Sequence, residues 1–267
     1  LSGSAELYEA LFQRVGIISV TNPSQLLETL KFLCVVGTPK GKQVVGFTCS
    51  GGGATMLADH AEKIDLTFPE FKSTQQTELS ALLPDIATVS NPLDYTTPIW
   101  GHAEMTYPVF AKAISAIEAD TAVLVQDYPA AEIDSSKVYY RNDAMAFARA
   151  SKEQGLPAII CATLPENMDL DTRQLLITKG VAPMQGIHEA LNAIRDSADW
   201  NQARSRILSE KPEYLLPSYP SGEQKVMPEN DSKRWLINHN FNVPNGKTVS
   251  PHKLGEAAIE VGYPVAL

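Results

Sequence analysis

Cysteine is scarce in this sequence: Cys34, Cys49 and Cys161 are odd in number and far apart. That excludes a disulfide framework or a CxxC metal site, and points to reduced thiols in a cytoplasmic protein. No run reaches the roughly 18–20 consecutive apolar residues a membrane helix needs, so no membrane association is expected. The chain opens Leu1-Ser2-Gly3-Ser4, with neither a Met nor a basic n-region, which reads as a fragment without a signal peptide. Basic residues are outnumbered, 22 Lys and Arg against 31 Asp and Glu, for a formal charge of −9. A general nucleic-acid binder needs a basic surface, so that class is excluded; a small phosphate ligand held by backbone amides is not. His60, His102, His188, His239 and His252 show no HxxxH spacing and no neighbouring Cys, so no metal site is expected. His60 reads as a surface residue near a helix end, and His102, beside Trp100, is the one histidine to inspect for catalysis. GxSxG is absent, which removes a nucleophile elbow.

What is present is an alternation of apolar runs and helical patterns. Residues 5–14 form a helix behind Ser4 as N-cap, VGIISV (15–20) reads as a short strand, and Asn22-Pro23-Ser24 opens a second helix. This piece is too small for its own core, so residues 1–40 read as the tail of a preceding domain. The run VVGFTC (44–49) has the continuous hydrophobicity of a central parallel strand. TAVLVQ (121–126), PAIICAT (157–163) and VAPMQ follow as further strands with helices between them. Strand–helix alternation over residues 41–196 predicts an α/β domain with a doubly wound parallel sheet. Residues 197–226, rich in Pro, Ser and charge, read as a linker. A second unit, 227–267, brings two helices and then the strand start GYPVAL.

Between the first strand and its helix stand Ser50, Gly51, Gly52, Gly53 and Ala54. Glycines there permit a tight turn and close helix packing. They also leave the first-turn N–H groups open to phosphate or another anion, helped by the helix dipole. The pattern is neither GxGxxG nor GxxxxGK[ST], so a small phosphoryl group fits better than a dinucleotide. The loop SNPLDYTTPIWG carries Asn91, Asp94, Tyr95 and Trp100. Asp94 is either a turn or cap residue or a ligand-positioning one, and Trp100 either core or the wall of a substrate pocket. Glu166 and Asn167 lie just past a strand end, where an ordinary loop is the simpler reading.

Four segments, in this order, resemble the ADP-forming acyl-CoA synthetases. LSGSAELYEALFQRVGIISV is similar to the stretch that follows the family's phosphohistidine loop. FTCSGGGATMLADHAE resembles the strand, Gly-rich turn and helix of the flavodoxin-like, succinyl-CoA-synthetase-like ligase domain, with GGGA in place of the commoner GGPG-like turn. TVSNPLDYTTPIWG matches the NPxD loop, and MPENDSKRWLINHNFNVPNGKTVSPHKLGEAAIEVGYPVAL is similar to the start of the family's ATP-grasp domain. The resemblance implies that ATP phosphorylates a histidine expected upstream of Leu1, outside this chain. The phosphoryl group then passes to a carboxylic acid, and CoA attacks the acyl phosphate. Carried over, Ser50–Ala54 would bind phosphate at one of the family's opposed helix N-termini, and Asn91, Asp94, Tyr95 and Trp100 would line the acid's pocket. ATP or ADP with Mg2+, CoA and a carboxylic acid would be ligands of the whole protein, none held tightly by this piece alone, and a homo-oligomer is possible. Two alternatives remain open here: a catalytically inactive regulatory copy of the same architecture in a protein acyltransferase, and an FMN-binding flavodoxin-like module.

Overall fold

The structure is a computed structural model and describes residues 3–128, 135–210 and 226–266. The chain divides into two compact units, Leu1–Pro212 and Glu213–Leu267.

The first unit opens with α1 (Ala5–Val15), where Ser4 Oγ accepts from the Leu7 amide and Gly16, at φ 71°, ends the helix. No residue of α1 is buried, and Leu7, Leu11 and Val15 face outward. The strand expected over 15–20 does not form. Val15 closes α1 and residues 17–20 pair with no neighbour, since β-branched residues make a strand only where a partner edge and a covered face exist.

Asn22 caps α2 (Pro23–Val36), accepting from the Gln25 amide at 2.8 Å. The remaining elements are β1 (Val44–Thr48), α3 (Gly51–Lys63), α4 (Ser73–Ser80), β2 (Leu93–Asp94), α5 (Ala103–Ala116), β3 (Thr121–Val125), α6 (Lys137–Glu153), β4 (Ala158–Ala162), α7 (Leu170–Thr178), β5 (Val181–Gln185) and α8 (Ile187–Glu210).

The five strands form one parallel sheet in the order β2-β1-β3-β4-β5, the flavodoxin-like doubly wound arrangement. Strands β1, β3 and β4 are buried at every position, which explains their unbroken apolar runs: alternate side chains go to opposite layers and both layers are covered. Val45, Phe47, Leu124 and Ile160 join α5 and α6 in one core, where the Phe47, Phe110 and Phe147 rings meet edge to face at 5.0–5.9 Å. Val44, Val123, Ile159 and Met184 join α2, α3 and α8 in the other.

Two domain expectations are corrected here. α2 belongs to this fold: Glu28 accepts from the Gln185 amide at 2.9 Å and Gln25 donates to the Glu189 carbonyl at 3.2 Å, fixing α2 against β5 and α8. Residues 1–40 are therefore no separate tail. The linker expected over 197–226 begins too early, because α8 continues to Glu210. Residues 196–210 contain neither Gly nor Pro, and Ala198 lies wholly buried on the stripe begun by Leu191 and Ile194, so nothing stops the helix. Residues 211–225 of that expected linker lie outside the described residues.

The second unit contains α9 (Glu229–Asn238), a 3-10 turn at Pro251–Lys253 and α10 (Leu254–Val261). Residues 262–266 form no strand, contrary to the expectation for GYPVAL. No helix among the described residues is long and apolar enough to cross a membrane.

Candidate functional site

In a doubly wound sheet the crevice for a ligand opens where neighbouring strands send their connections to opposite faces, beyond the carboxyl ends. Here that point lies between β1 and β3. The β1 end leads into Cys49 and Ser50, and β2 contributes Asp94 beside it.

Ser50 is extended (φ −146°, ψ 127°) and its amide donates to Thr48 Oγ1 at 3.2 Å, while its own side chain caps nothing. The first helical bond of α3 runs from the Ala54 amide to the Ser50 carbonyl at 3.2 Å. The amides of Gly51, Gly52 and Gly53 precede any intrahelical acceptor, as at every helix start. Ser50, Gly51 and Gly52 are exposed, so no packed side chain walls this turn in. Only Gly53 is demanded by packing, since a Cβ there would lie 2.5 Å from Thr48 Oγ1. One on Gly51 or Gly52 would meet nothing nearer than 3.6 Å.

Asp94 stands next to this turn. Its Oδ2 is 3.6 Å from the position a Gly51 Cβ would take, and its Oδ1 accepts from the Thr96 amide at 2.9 Å. A carboxylate is favoured at a helix N-terminus by the dipole. The Asp94 turn forces Thr96 to φ 66° and ψ 155°, a region that suits glycine, at about 1–3 kcal/mol. Thr96→Gly is therefore expected to raise stability by about 1 kcal/mol, after the greater freedom of the unfolded glycine chain is deducted. An unchanged or lower urea midpoint would show that the conformation carries no strain.

The other loop residues have different occupations. Asn91 is consumed by the backbone: Oδ1 accepts from the Gly46 amide at 2.9 Å, and Nδ2 donates to the carbonyls of Val44 at 2.9 Å and Pro69 at 3.0 Å. Tyr95 is wholly buried and its hydroxyl donates to Asp143 Oδ2 at 2.9 Å. Both polar side chains are thus held by protein partners. Trp100 is half-buried against Tyr140 and Tyr139, at 4.7 and 5.6 Å between ring centroids. His102 faces solvent at the start of α5, 3.7 Å from Glu104.

Asp143 organises this loop, a role the sequence reading missed. The buried carboxylate on α6 accepts from Tyr95, from the Gly101 amide at 3.0 Å and from Thr106 Oγ1 at 3.0 Å, while Asn142 donates to the Gly101 carbonyl at 3.0 Å. Burial raises its pKa, and the three donors pull the other way. A signal existed: Asp143 falls at helical spacing from Phe147 and Ala150, a lone charge on an apolar stripe. Cys49, beneath the glycine turn, has its thiol pushed up to about 11 by burial, with Asp143 and Asp94 adding to it, so it stays protonated and is no nucleophile at neutral pH. Asp127, past β3, is committed to structure: it accepts from the Thr163 amide and hydroxyl at 2.8 and 2.7 Å and from Asn167 at 3.0 Å. Asn167 is thereby engaged in holding the ends of β3 and β4 together.

A doubly wound α/β domain whose glycine-led helix start and acidic neighbour share one sheet edge defines the class. No family model matches the chain. Its curated relatives are ADP-forming acetate–CoA ligases. It is 31% identical to the alpha subunit of acetate–CoA ligase [ADP-forming] II of Pyrococcus furiosus over 94 residues, 35% of this chain and 20% of the relative. It is 21% identical to acetate–CoA ligase [ADP-forming] II of Archaeoglobus fulgidus over 196 residues, 73% of this chain and 28% of the relative. Among solved structures, the fold is shared with dinucleotide-forming acetyl-coenzyme A synthetase 1 of Candidatus Korarchaeum cryptofilum in complex with phosphate and ADP. There the TM-score is 0.64 at 18% identity, over 80% of this chain and 45% of that one. PH0766 of Pyrococcus horikoshii gives a TM-score of 0.63 at 21% identity, over 76% of this chain and 45% of that one. The chain thus spans less than half the length of each of these proteins.

Proposed function

We propose that this chain is part of an ADP-forming acyl-CoA synthetase, and that the first turn of α3 holds the phosphoryl group as it moves onto a carboxylic acid. The observation that carries the reading is an uncovered turn of glycine amides at the sheet's switch point, in a chain whose relatives are ADP-forming acetate–CoA ligases. In this reading ATP, with Mg2+, phosphorylates a histidine that precedes Leu1, the phosphoryl group passes to a carboxylate oxygen, and CoA sulfur displaces phosphate from the acyl carbon. The amides of Gly51, Gly52 and Gly53 point their partial positive charge at the anion, and the missing side chains of Gly51 and Gly52 let it approach. In this reading Mg2+ accompanies the nucleotide.

Of the loop residues, Asp94 and Trp100 remain the candidates for meeting the acid. The outward apolar stripe of α1 is read as a contact with a preceding ligase domain, and residues 227–267 as the start of an ATP-grasp domain. Three free cysteines fit a cytoplasmic protein, and a homo-oligomer is consistent with the exposed stripe.

Titrating the chain with inorganic phosphate, followed by amide NMR shifts, tests the site. The Gly51–Ala54 signals are expected to move together, and chloride at equal ionic strength to leave them in place. Because Asp94 adds a negative charge beside the anion, Asp94→Asn is expected to tighten phosphate about tenfold, some 1.4 kcal/mol. Absence of any shift at Gly51–Ala54 in both proteins would remove the phosphate role.

A further inference from the structure

The contact between α3 and α8 contains a pair of imidazoles that no part of the proposed reaction uses. His60, in the third turn of α3, and His188, in the first turn of α8, stack with ring centroids 4.1 Å apart and planes 19° from parallel. His188 is exposed, whereas His60 is half-buried and its Nε2 is enclosed with no hydrogen-bond partner among the described residues. Around the pair the helices bury Leu57, Ala61, Ala190, Leu191 and Ile194, so the stack seals the edge of an apolar contact.

The charges facing His60 are mostly positive. Lys63 is on its own helix, and α8 supplies His188 and Arg195, with Glu189 the one group of opposite sign. Besides α8, the elements in most extensive contact with α3 are β1, which carries no titratable side chain, and β2, whose Asp94 stands at the opposite end of the helix. From Gly51 to His60 is nine residues, about 13 Å along the axis.

We propose that the His60–His188 stack is a pH-sensitive latch between α3 and α8, closed while the rings are neutral and loosened when both carry protons. Two facing imidazolium rings at this spacing repel, and Lys63 and Arg195 add to the repulsion. Burial is the largest cause holding the His60 pKa below its ordinary 6.5, with His188, Lys63 and Arg195 next and Glu189 opposing. In the opened state His60 binds its proton more readily than in the closed one. The closed contact is therefore fully favoured above about pH 6.5 and loses stability as pH falls. The latch acts on the helix whose other end carries Gly51–Gly53, so acid would loosen the support of that turn. It does not depend on what the turn binds.

The test follows the ring protons of both histidines by NMR in the full chain, together with amide-exchange protection factors at about pH 7.5 and about pH 5.5. His60 is expected to titrate below 6.5, and Leu57–Lys63 to lose protection on acidification, relative to β3, by up to about tenfold at the lower pH. His60→Phe keeps an aromatic ring without a proton site and should abolish most of that loss. His188→Gln should raise the His60 midpoint by removing a like charge. If His60→Phe does not fold, the His188→Gln measurement decides alone. A His60 midpoint at or above 6.5 overturns the latch. So does an acid loss in α3 that survives in both variants, which would assign it to carboxylates such as Asp196.

Discussion

Asp143→Ala is expected to destabilise the sheet unit by about 3–5 kcal/mol, because it removes the acceptor of several buried donors. The substitution strands the Tyr95 hydroxyl and the Gly101 amide, which now end on that carboxylate, and leaves the Thr106 hydroxyl only the His102 carbonyl at 3.4 Å. Each stranded buried donor is worth about 1–3 kcal/mol, and local relaxation keeps the sum below the simple total. For a unit of this size, about 2–4 °C is lost per kcal/mol, so Tm should fall by roughly 10 °C. Asp143→Asn should lose less, about 1–2 kcal/mol, because the amide oxygen still accepts and Tyr95 can reverse its hydroxyl to accept from the amide nitrogen. Trp100, in the loop pinned through Gly101, supplies a second readout, with a red-shifted emission as the loop lifts off α6. An Asp143→Ala protein within about 1 kcal/mol of wild type would mean that the network is not a cooperative anchor.

The sheet was legible because its strands are covered on both faces. β1, β3 and β4 fall within a residue of the runs VVGFTC, TAVLVQ and PAIICAT, since a strand buried on both sides needs an apolar side chain at nearly every step. The same cue misled at VGIISV, where the residue types suit a strand but no edge is available to pair. It was silent at α8, where polarity was read as linker although the helix runs on to Glu210. The candidate site was half legible. The glycine turn and Asp94 were visible as a pattern because turn chemistry is local. The partners of Asn91, Tyr95 and Asp143 were not, because they lie 45, 48 and 42 residues away along the chain, and only the folded structure brings them together.

Gly53→Ala separates the packing role of the glycine turn from its proposed binding role. The new methyl would lie 2.5 Å from Thr48 Oγ1, and Thr48 cannot readily withdraw: its hydroxyl accepts from the Ser50 amide and its carbonyl from the Tyr95 amide at 2.9 Å. The first turn of α3 must then shift away from β1, at about 1–3 kcal/mol, more than the roughly 1 kcal/mol that alanine gains over glycine in a helix. Gly51→Ala and Gly52→Ala meet no such obstacle and should stay within about 0.5 kcal/mol of wild type. Urea midpoints would reveal the contrast. Combining Gly53→Ala with Thr48→Ala should recover part of the loss, a coupling of about 1–2 kcal/mol. Equal destabilisation by all three alanines would show that the whole turn is under packing constraint. If Gly53 alone is costly, the fold does not require bare backbone at Gly51 and Gly52. What those two positions leave uncovered is three helix-start amides beside a carboxylate, and a fold-based reason for keeping them bare would be lacking. Weaker phosphate binding by Gly51→Ala and Gly52→Ala at unchanged stability would then locate the requirement in the ligand.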